Sequence, residues 1–341
     1  MRWSRWWRPR LKITIAPPSH SRLTDEHGSD GALGGIETAC LELGDALVAR
    51  GHEVTILGEP AVHRKACPLG WTRLGESHGD ALISCNDARL LSAGRFKARI
   101  FWSHNPLAVE KAFRKKQFGP IWSARPPAVF GSRDALEAIS PLLRFRSRTV
   151  IPLGVTALFE STRTDLPGKP HFAFASQSQR GLPGVCRVWA DKVHPAAPAA
   201  RLHVFGSSPE SARITAEAAA AVGILFYPRA DKQALARFYE TAMALICVGA
   251  ADETFCLAAA EAQCAGLPVL TLGIGALGER VSHGVNGLRS DSFEAMAGDA
   301  VRLCHDPELS LFLREGALRT RGQFSWARSA KLWEALLVGI L

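Results

Sequence analysis

The chain of 341 residues has little of several features that mark particular protein classes. Its eight cysteines are scattered and include no Cys-x-x-Cys pair, so we expect buried thiols in a reducing compartment instead of a disulfide framework. No apolar run reaches the ~18 residues that a membrane-spanning helix needs. The first ten residues also lack the apolar segment of a secretory signal, and a cytoplasmic location is therefore predicted.

Signatures of common enzyme classes are missing as well. The sequence contains no Walker loop, no His-Glu-x-x-His and no Asp-x-Asp. No group of side chains has the spacing of metal ligands, and we therefore expect no bound metal. What remains is an ordinary globular composition, 47% hydrophobic and 21% charged, in a chain long enough for two domains with separate cores.

Acidic residues are fewer than basic ones, 32 against 41, which gives a net charge of +9. The cations gather at Arg2–Arg10, at Lys111–Lys116 and at Arg144–Arg148, and the first group also holds three tryptophans. Trp beside Arg suits a membrane interface, so peripheral contact of this tail with an anionic membrane is one prediction. The alternative is a solvated tail and an ordinary basic helix face. No nucleic-acid-binding motif is present, and no nucleic-acid partner is expected.

Apolar runs typical of strands alternate with helical patterns, which predicts an α/β protein with parallel sheets. Predicted strands cover 11–16, 53–57, 81–85, 99–102, 128–130, 149–152, 171–175, 202–205, 224–227, 244–248 and 268–272. Residues Gly34–Arg50 and the segment from Phe324 to Leu337 have helical patterns. The Pro- and Gly-containing stretch Thr162–Pro170 indicates a linker. Two Rossmann-like domains, 11–160 and 168–324, facing across a cleft, are the simplest account.

Two carboxylates, Glu253 and Glu261, mark the start of one predicted helix. Eight residues of helix span ~12 Å, about the length of a nucleoside diphosphate that carries a sugar. A helix N-terminus favours a diphosphate because its unpaired N–H groups and its dipole point outward. We therefore expect Thr254, Phe255, Cys256 and Leu257 to bind a diphosphate through this N-terminus, with an accessible acid at each end of the ligand.

Glu253 and Glu261, followed by Ala265-Gly266-Leu267-Pro268-Val269, resemble the donor-site signature of the group 1 (family four) retaining glycosyltransferases. This resemblance implies the GT-B fold, with a final helix, 325–341, that crosses back to the first domain. It implies a nucleoside-diphosphate sugar as the donor substrate, a glycan or lipid-linked acceptor, no cofactor and a metal-independent reaction. In such a site Glu253 holds hydroxyls of the sugar, and Glu261 holds the ribose.

Further motifs carry the same resemblance. Gly34 and Gly35 match the family's Gly-Gly-x-Glu loop, which meets the donor phosphates and the transferred sugar. His104 follows a predicted strand and matches the active-site histidine of the family. Arg180 stands where the family has a phosphate-binding Lys. The segment that ends in Arg180-Gly181-Leu182 resembles the Ser-x-x-Arg-Gly-Leu motif of one branch of the family. That branch also has Glu-Thr-Phe-Cys, as this chain does at 253–256. The first of the family's two diphosphate-binding cations is missing.

The run Gly273–Gly278 formally matches the dinucleotide fingerprint Gly-x-Gly-x-x-Gly. It comes too late in the chain for a whole dinucleotide domain, and it aligns instead with a Gly-Gly-x-x-Glu loop that places Glu279 in the acidic position. The resemblance thus implies retaining transfer of a hexosyl group to an acceptor hydroxyl. Because members of the family commonly act in polysaccharide or glycolipid assembly, that role is implied as well. A nucleotide-sugar 2-epimerase of the same fold and a weakly active sugar-nucleotide-binding protein stay open as alternatives.

Overall fold

A computed structural model describes residues 9–18, 35–57, 70–72, 76–160 and 165–341. Gly34 and residues 1–8 of the basic tail lie outside these ranges. The chain forms two compact units. The first contains the described residues up to Phe130 together with Ile139–Gly154 and Trp326–Leu341, and the second contains Gly131–Ala138 and Val155–Ser325.

A parallel sheet of seven strands forms the centre of the first unit, in the order β3-β2-β1-β4-β5-β6-β7. Its strands are β1 (Lys12–Ala16), β2 (Glu53–Leu57), β3 (Gly70–Thr72), β4 (His78–Cys85), β5 (Arg95–Ser103), β6 (Ala128–Phe130) and β7 (Arg148–Val150). Its helices are α1 (Gly35–Val48), α2 (Val109–Arg114), α3 (Phe118–Ala124) and α13 (Trp326–Ile340). The central strands β1 and β4 are buried on consecutive residues because helices cover both faces of a parallel sheet.

The last helix, α13, belongs to the first unit. Its Trp333 is fully buried and meets the ring of Trp102 edge to face, with ring centroids 5.2 Å apart. Its Glu334 accepts a hydrogen bond from the guanidinium of Arg50, which follows α1. The prediction that the final helix crosses back to the first domain is therefore confirmed.

The second unit contains a parallel sheet of six strands in the order β10-β9-β8-β11-β12-β13. The strands are β8 (His171–Phe174), β9 (Arg201–Phe205), β10 (Ile224–Tyr227), β11 (Ala244–Ile246), β12 (Val269–Thr271) and β13 (Gly287–Arg289). The helices are α4 (Arg133–Glu137), α5 (Leu182–Val188), α6 (His194–Ala196), α7 (Ala216–Ala221), α8 (Lys232–Thr241), α9 (Leu257–Cys264), α10 (Ala276–Arg280), α11 (Phe293–His305) and α12 (Pro307–Thr320). Its core includes Phe172, Phe174, Trp189 and Leu313.

Two features differ from the sequence-based prediction. Strands β3 and β13 were not predicted. Residues Gly131–Ala138 fall within the predicted first domain, whereas they group with the second unit. The backbone N–H groups of Arg133 and Asp134 donate to the carboxylate of Glu279, at 2.9 and 3.2 Å, and this contact ties α4 to α10.

Candidate functional site

Three loops meet at the carboxyl edge of the second sheet. They follow the neighbouring strands β8, β11 and β12 and carry, respectively, Arg180, Glu253 and the run Gly273–Gly278. Because the carboxyl ends of adjacent parallel strands lie side by side, residues separated by 73 positions in the chain come into contact. The sheet order thus assembles the predicted donor motifs into one cluster.

Arg180 and Glu253 form an ion pair at this edge. Nη1 of Arg180 donates to Oε2 of Glu253, and Nη2 lies 3.5 Å from a carboxylate oxygen of Asp252. The second oxygen of Glu253, Oε1, accepts the backbone N–H of Cys256 at 3.0 Å. Both side chains remain partly accessible, 23% for Arg180 and 17% for Glu253. A cation and an anion are therefore held next to each other, within reach of solvent, where α9 begins.

Two glycines allow the loops after β11 and β12 to approach closely. A Cβ on Gly275, whose φ is +63°, would lie 2.4 Å from the carbonyl oxygen of Ala250. A Cβ on Gly249, whose φ is +98°, would lie 2.7 Å from that of Ile274. Both the left-handed backbone and the lack of space favour glycine at these positions. The glycines of the Gly273–Gly278 run thus bring backbone next to Glu253, whose carbonyl accepts the N–H of Ala276 at 3.0 Å.

The N-terminus of helix α9 lies at the same edge of the sheet, directly after the loop that carries Glu253. The residue before it, Cys256, has a left-handed φ of 58°, and no side chain caps the helix there. The side chains of Thr254, Phe255 and Cys256 are buried, whereas Leu257 is only half-buried. The first three of these residues can therefore contact a ligand mainly through their backbone, as an N-terminal diphosphate site requires.

Arg280 fixes the segment before α9. Its Nε donates to the carbonyl of Phe255 at 2.9 Å, and its Cζ lies 4.1 Å from the centroid of the Phe255 ring. The same guanidinium lies 4.4 Å from the ring of Phe324. Burial lowers the pKa of Arg280. Sequence analysis did not single out Arg280, although it directly follows Glu279 in a motif that had been identified.

The expectation that both acids are accessible is wrong for Glu261. Only 4% of this residue is exposed, because α9 consists largely of small residues and is packed on nearly all sides. Its Oε1 accepts a hydrogen bond from Nζ of Lys232, the first residue of α8. Burial raises the pKa of Glu261, and Lys232 counteracts that rise. Lys232, which sequence analysis missed, is itself 41% exposed in its side chain and reaches solvent.

The first unit holds the other predicted site residues at the carboxyl edge of its own sheet. Gly35 opens α1, and His104 directly follows β5. The backbone N–H of His104 donates to the side chain of Asn86 at 2.6 Å, and its ring packs 4.3 Å from that of Trp102. Burial lowers the pKa of His104 from 6.5 to about 3. The imidazole is therefore neutral at physiological pH.

Glu279, the acidic residue of the Gly-Gly-x-x-Glu resemblance, makes a structural contact. Its carboxylate accepts the first backbone N–H groups of α4, as described above. Among the described residues, no three or more His, Cys, Asp or Glu side chains are grouped so that they could hold a metal ion. Within the same ranges, no helix is both long enough and apolar enough to cross a bilayer.

Comparison with known proteins gives a family for part of the chain. Residues 170–306 match the family model described as glycosyl transferases group 1. Curated relatives include the D-inositol 3-phosphate glycosyltransferases of Thermobispora bispora, 33% identical over 121 residues, and Salinispora tropica, 35% identical over 132 residues. These matches cover 35% and 37% of this chain, and they span only 28% and 27% of the relatives' own lengths.

Solved structures match over nearly the whole chain. Sucrose-phosphate synthase from Thermosynechococcus elongatus aligns with 97% of this chain and 100% of its own, at a TM-score of 0.72 and 18% identity. The HepE protein of Anabaena, solved in complex with UDP-glucose, aligns with 97% and 100% of the two chains, at a TM-score of 0.71 and 14% identity. The predicted fold class is confirmed. The chain has the GT-B fold, and its residues 170–306, which include Arg180, Glu253 and Glu261, match the group 1 glycosyltransferase domain.

Proposed function

We propose that this protein is a retaining hexosyltransferase that uses a nucleoside-diphosphate sugar and transfers the sugar to an acceptor hydroxyl. The observation that carries the proposal is the Arg180–Glu253 pair beside the uncapped start of α9. All these residues lie within the segment that matches the glycosyltransferase domain. The complex of HepE with UDP-glucose is an example of this donor class on the same fold.

The reaction breaks the bond between the anomeric carbon and the diphosphate, and it forms a bond from that carbon to the acceptor oxygen. Negative charge develops on the departing diphosphate, and the acceptor's proton passes to a leaving phosphate oxygen. Arg180 has five N–H donors, so it can contact Glu253 and a phosphate oxygen at once. The backbone N–H groups at the start of α9, next to Leu257, add preorganised donors for the same charge.

Glu253 holds the sugar hydroxyls in this proposal. Two groups fix the position of its carboxylate by donating hydrogen bonds to it: the Arg180 guanidinium and the backbone N–H of Cys256. His104 and Gly35 are the proposed contacts of the donor from the first unit. As a neutral group, the imidazole of His104 donates or accepts hydrogen bonds without adding a second cation next to a sugar that develops positive charge.

Glu261 is proposed to bind the ribose through its Lys232-bound carboxylate. A carboxylate has about four lone-pair positions, and one ammonium group leaves others for hydroxyl donors. Since Glu261 is buried, ribose binding requires a shift of Lys232, the partly exposed partner. The acceptor is proposed to be a glycan or a lipid-linked glycan. The names of the curated relatives make inositol phosphate a further acceptor to test.

Donor binding and transfer test the proposal separately. A thermal-shift panel of nucleoside diphosphates and their sugars should raise the melting temperature for one base, because a ligand that binds only the folded state stabilises it. Glu253→Gln and Arg180→Gln should then lower kcat/KM by about 100-fold or more, as the loss of a preorganised charge contact does. Glu315→Gln, an exposed change on α12, serves as the control.

The outcomes separate this proposal from its alternatives. Release of a free, epimerised sugar without an acceptor would indicate an isomerase. Tight binding of the donor with neither transfer nor hydrolysis would indicate a sugar-nucleotide-binding protein. Wild-type turnover in both Glu253→Gln and Arg180→Gln would remove the assigned site.

A further inference from the structure

An exposed row of aromatic rings lies on the first unit, outside the proposed donor site. Phe113 stacks on Phe118 with ring centroids 4.1 Å apart, and Phe118 stacks on Trp122 at 5.6 Å. Phe113 is 59% exposed and Trp122 is 41% exposed. Large aromatic side chains normally bury their apolar area, so a row of them at the surface indicates a binding surface.

Arginines border this row of rings. The guanidinium carbon of Arg144 lies 4.0 Å from the centroid of Trp122, a cation–π contact that keeps ring and charge together. A cavity of about 490 Å³ next to them is lined by Arg125, Arg144, Arg146 and Arg148, with Leu143 and Phe145 among its other residues. Arg148 is fixed there because it donates to the carbonyls of Ser140 and Leu143, at 3.3 and 3.2 Å.

The sequence around these side chains is strongly basic, and Glu110, in the first turn of α2, is the acid next to it. Residues 111–130 and 139–154, the parts of the first unit that carry these side chains, contain eight Lys and Arg and no Asp or Glu. Within the described residues, the guanidinium groups of Arg125, Arg144 and Arg146 take part in no ion pair. The surface therefore combines concentrated positive charge with exposed apolar rings.

The position of this surface separates it from the carboxyl edge. Arg125 precedes β6 and Arg146 precedes β7, so both lie at the amino edge of the first sheet. His104 and Gly35 lie at the opposite, carboxyl edge. Since ligands of parallel α/β sheets bind at the carboxyl edge, the arginine cavity has a function other than holding the donor.

We propose that this aromatic–arginine surface, formed by Phe113, Phe118, Trp122, Arg125, Arg144 and Arg146, docks the protein on an anionic lipid bilayer. Aromatic rings settle at the depth of the headgroups, where the arginines meet lipid phosphates. The bidentate geometry of guanidinium suits phosphate oxygens, and the arginine cavity accommodates a headgroup. This inference goes beyond the proposed transferase activity and does not depend on it.

Single-stranded nucleic acid is the competing occupant of a basic, aromatic surface. Bases bind by stacking on open aromatic faces. Here Phe118 lies between two other rings, and the face of Trp122 is covered by the Arg144 guanidinium. The rings therefore offer their edges and outer surface more than free faces, which favours insertion among lipid headgroups.

Flotation with vesicles tests the proposal. The full chain should bind vesicles that mix phosphatidylcholine with phosphatidylglycerol and not vesicles of phosphatidylcholine alone, and added salt should weaken the binding. The triple variant Arg125→Gln, Arg144→Gln, Arg146→Gln should bind roughly ten-fold less or weaker still. A matched variant of exposed arginines on the second unit, Arg237→Gln, Arg302→Gln, Arg319→Gln, should bind like the wild type.

The aromatic part has its own pair of variants. The single variant Phe113→Ala and the double variant Phe113→Ala/Trp122→Ala should each weaken vesicle binding. Phe312→Ala, which removes a similarly exposed ring from α12, should not. The most exposed ring, Phe113, is the safest change for folding, and unchanged melting temperatures verify this. Deletion of residues 1–10 should leave the effect of the arginine variant intact, which distinguishes this surface from the basic tail.

Any one of the following outcomes would overturn the proposal. They are the absence of binding to anionic vesicles, equal losses in the two arginine triple variants, full binding in Phe113→Ala/Trp122→Ala, and binding of single-stranded RNA with no binding of vesicles. Saturable binding of glycerol phosphate in solution, without vesicle binding, would likewise replace the bilayer with a free phosphate compound. None of these measurements involves a sugar donor, so a failure here leaves the proposed transferase activity standing.

Discussion

Lys232 supplies a positive charge that opposes the effect of burial on the pKa of Glu261. Burial raises the pKa of Glu261 above 4.5, and the Lys232 ammonium lowers it. Because the folded-state pKa is above the unfolded value, this carboxyl disfavours the folded state above its raised pKa. The penalty disappears as the pH falls through the raised pKa toward 4.5. Lys232 therefore limits a cost that exists only where Glu261 is charged.

We predict that Lys232→Met lowers the free energy of unfolding by about 1–3 kcal/mol at neutral pH, less than a fully buried pair would lose because Lys232 is partly exposed. The loss should shrink in mild acid, where a protonated Glu261 needs no cation. Urea unfolding at the two pH values measures both effects. The double variant Lys232→Met/Glu261→Gln should be more stable at neutral pH than Lys232→Met alone. An equal loss at both pH values would contradict the role given to Lys232.

Individual residues also mark the limit of sequence-based prediction at this site. Arg180 and Glu253 could be identified because each belongs to a local motif, and parallel sheet order brings such motifs to one edge. The burial of Glu261 could not be predicted, because it depends on packing around all sides of α9. Its partner Lys232 is 29 residues away on another helix, and no local pattern links the two.

Secondary structure elements were predictable where they are long or strongly apolar. The bounds of β2, β6 and β10 match the sequence-based prediction. Strand β13 is as short as β6, but it was missed because it begins with glycine, ends with arginine and has only one apolar side chain between them. Gly287 is needed there for a tertiary reason: a Cβ would lie 2.2 Å from the carbonyl oxygen of Val269 on β12. Pairing with a neighbour, not local propensity, makes this segment a strand.

Two helical glycines give a matched prediction at the scale of elements. Gly298 in α11 has open space where a Cβ would be, so Gly298→Ala should raise the free energy of unfolding by about 0.5–1 kcal/mol, through lower entropy of the unfolded chain. Gly316 in α12 packs against the backbone of Val285, whose carbonyl oxygen would lie 1.7 Å from a Cβ. Gly316→Ala should destabilise by about 1–3 kcal/mol or more.

Chemical denaturation of the two alanine variants measures both values. Both variants gain the same helix propensity from the change of glycine to alanine. Opposite signs for their changes in the free energy of unfolding would therefore isolate the packing of α12 against the Val285 turn. Stabilisation by Gly316→Ala would show that this turn moves away without cost and that its close approach is unimportant.

At the scale of the whole molecule, the chain returns to its first unit at the end. Helix α13 follows the complete second unit in sequence, yet it packs on α1 and buries Trp333 and Leu337 there. The amphipathic pattern of Phe324–Leu337 predicted a helix, and the family resemblance supplied the surface on which it packs. The pattern alone could not identify that surface, because an apolar stripe fits any complementary core.

The Arg50–Glu334 ion pair joins the last helix to the first, and its removal is the last prediction. The two side chains are only 18% and 10% exposed, so Glu334→Gln should lower the stability of the first unit by about 1–3 kcal/mol. Lys331→Gln, an exposed change on the same helix, should have little effect. Hydrogen exchange should quicken in α1 and α13 of Glu334→Gln and stay unchanged in the six-stranded sheet of the second unit. A double-mutant cycle with Arg50→Gln measures the interaction energy between the two side chains. If the stability losses of the two single variants add up to the loss of the double variant, the two residues act independently.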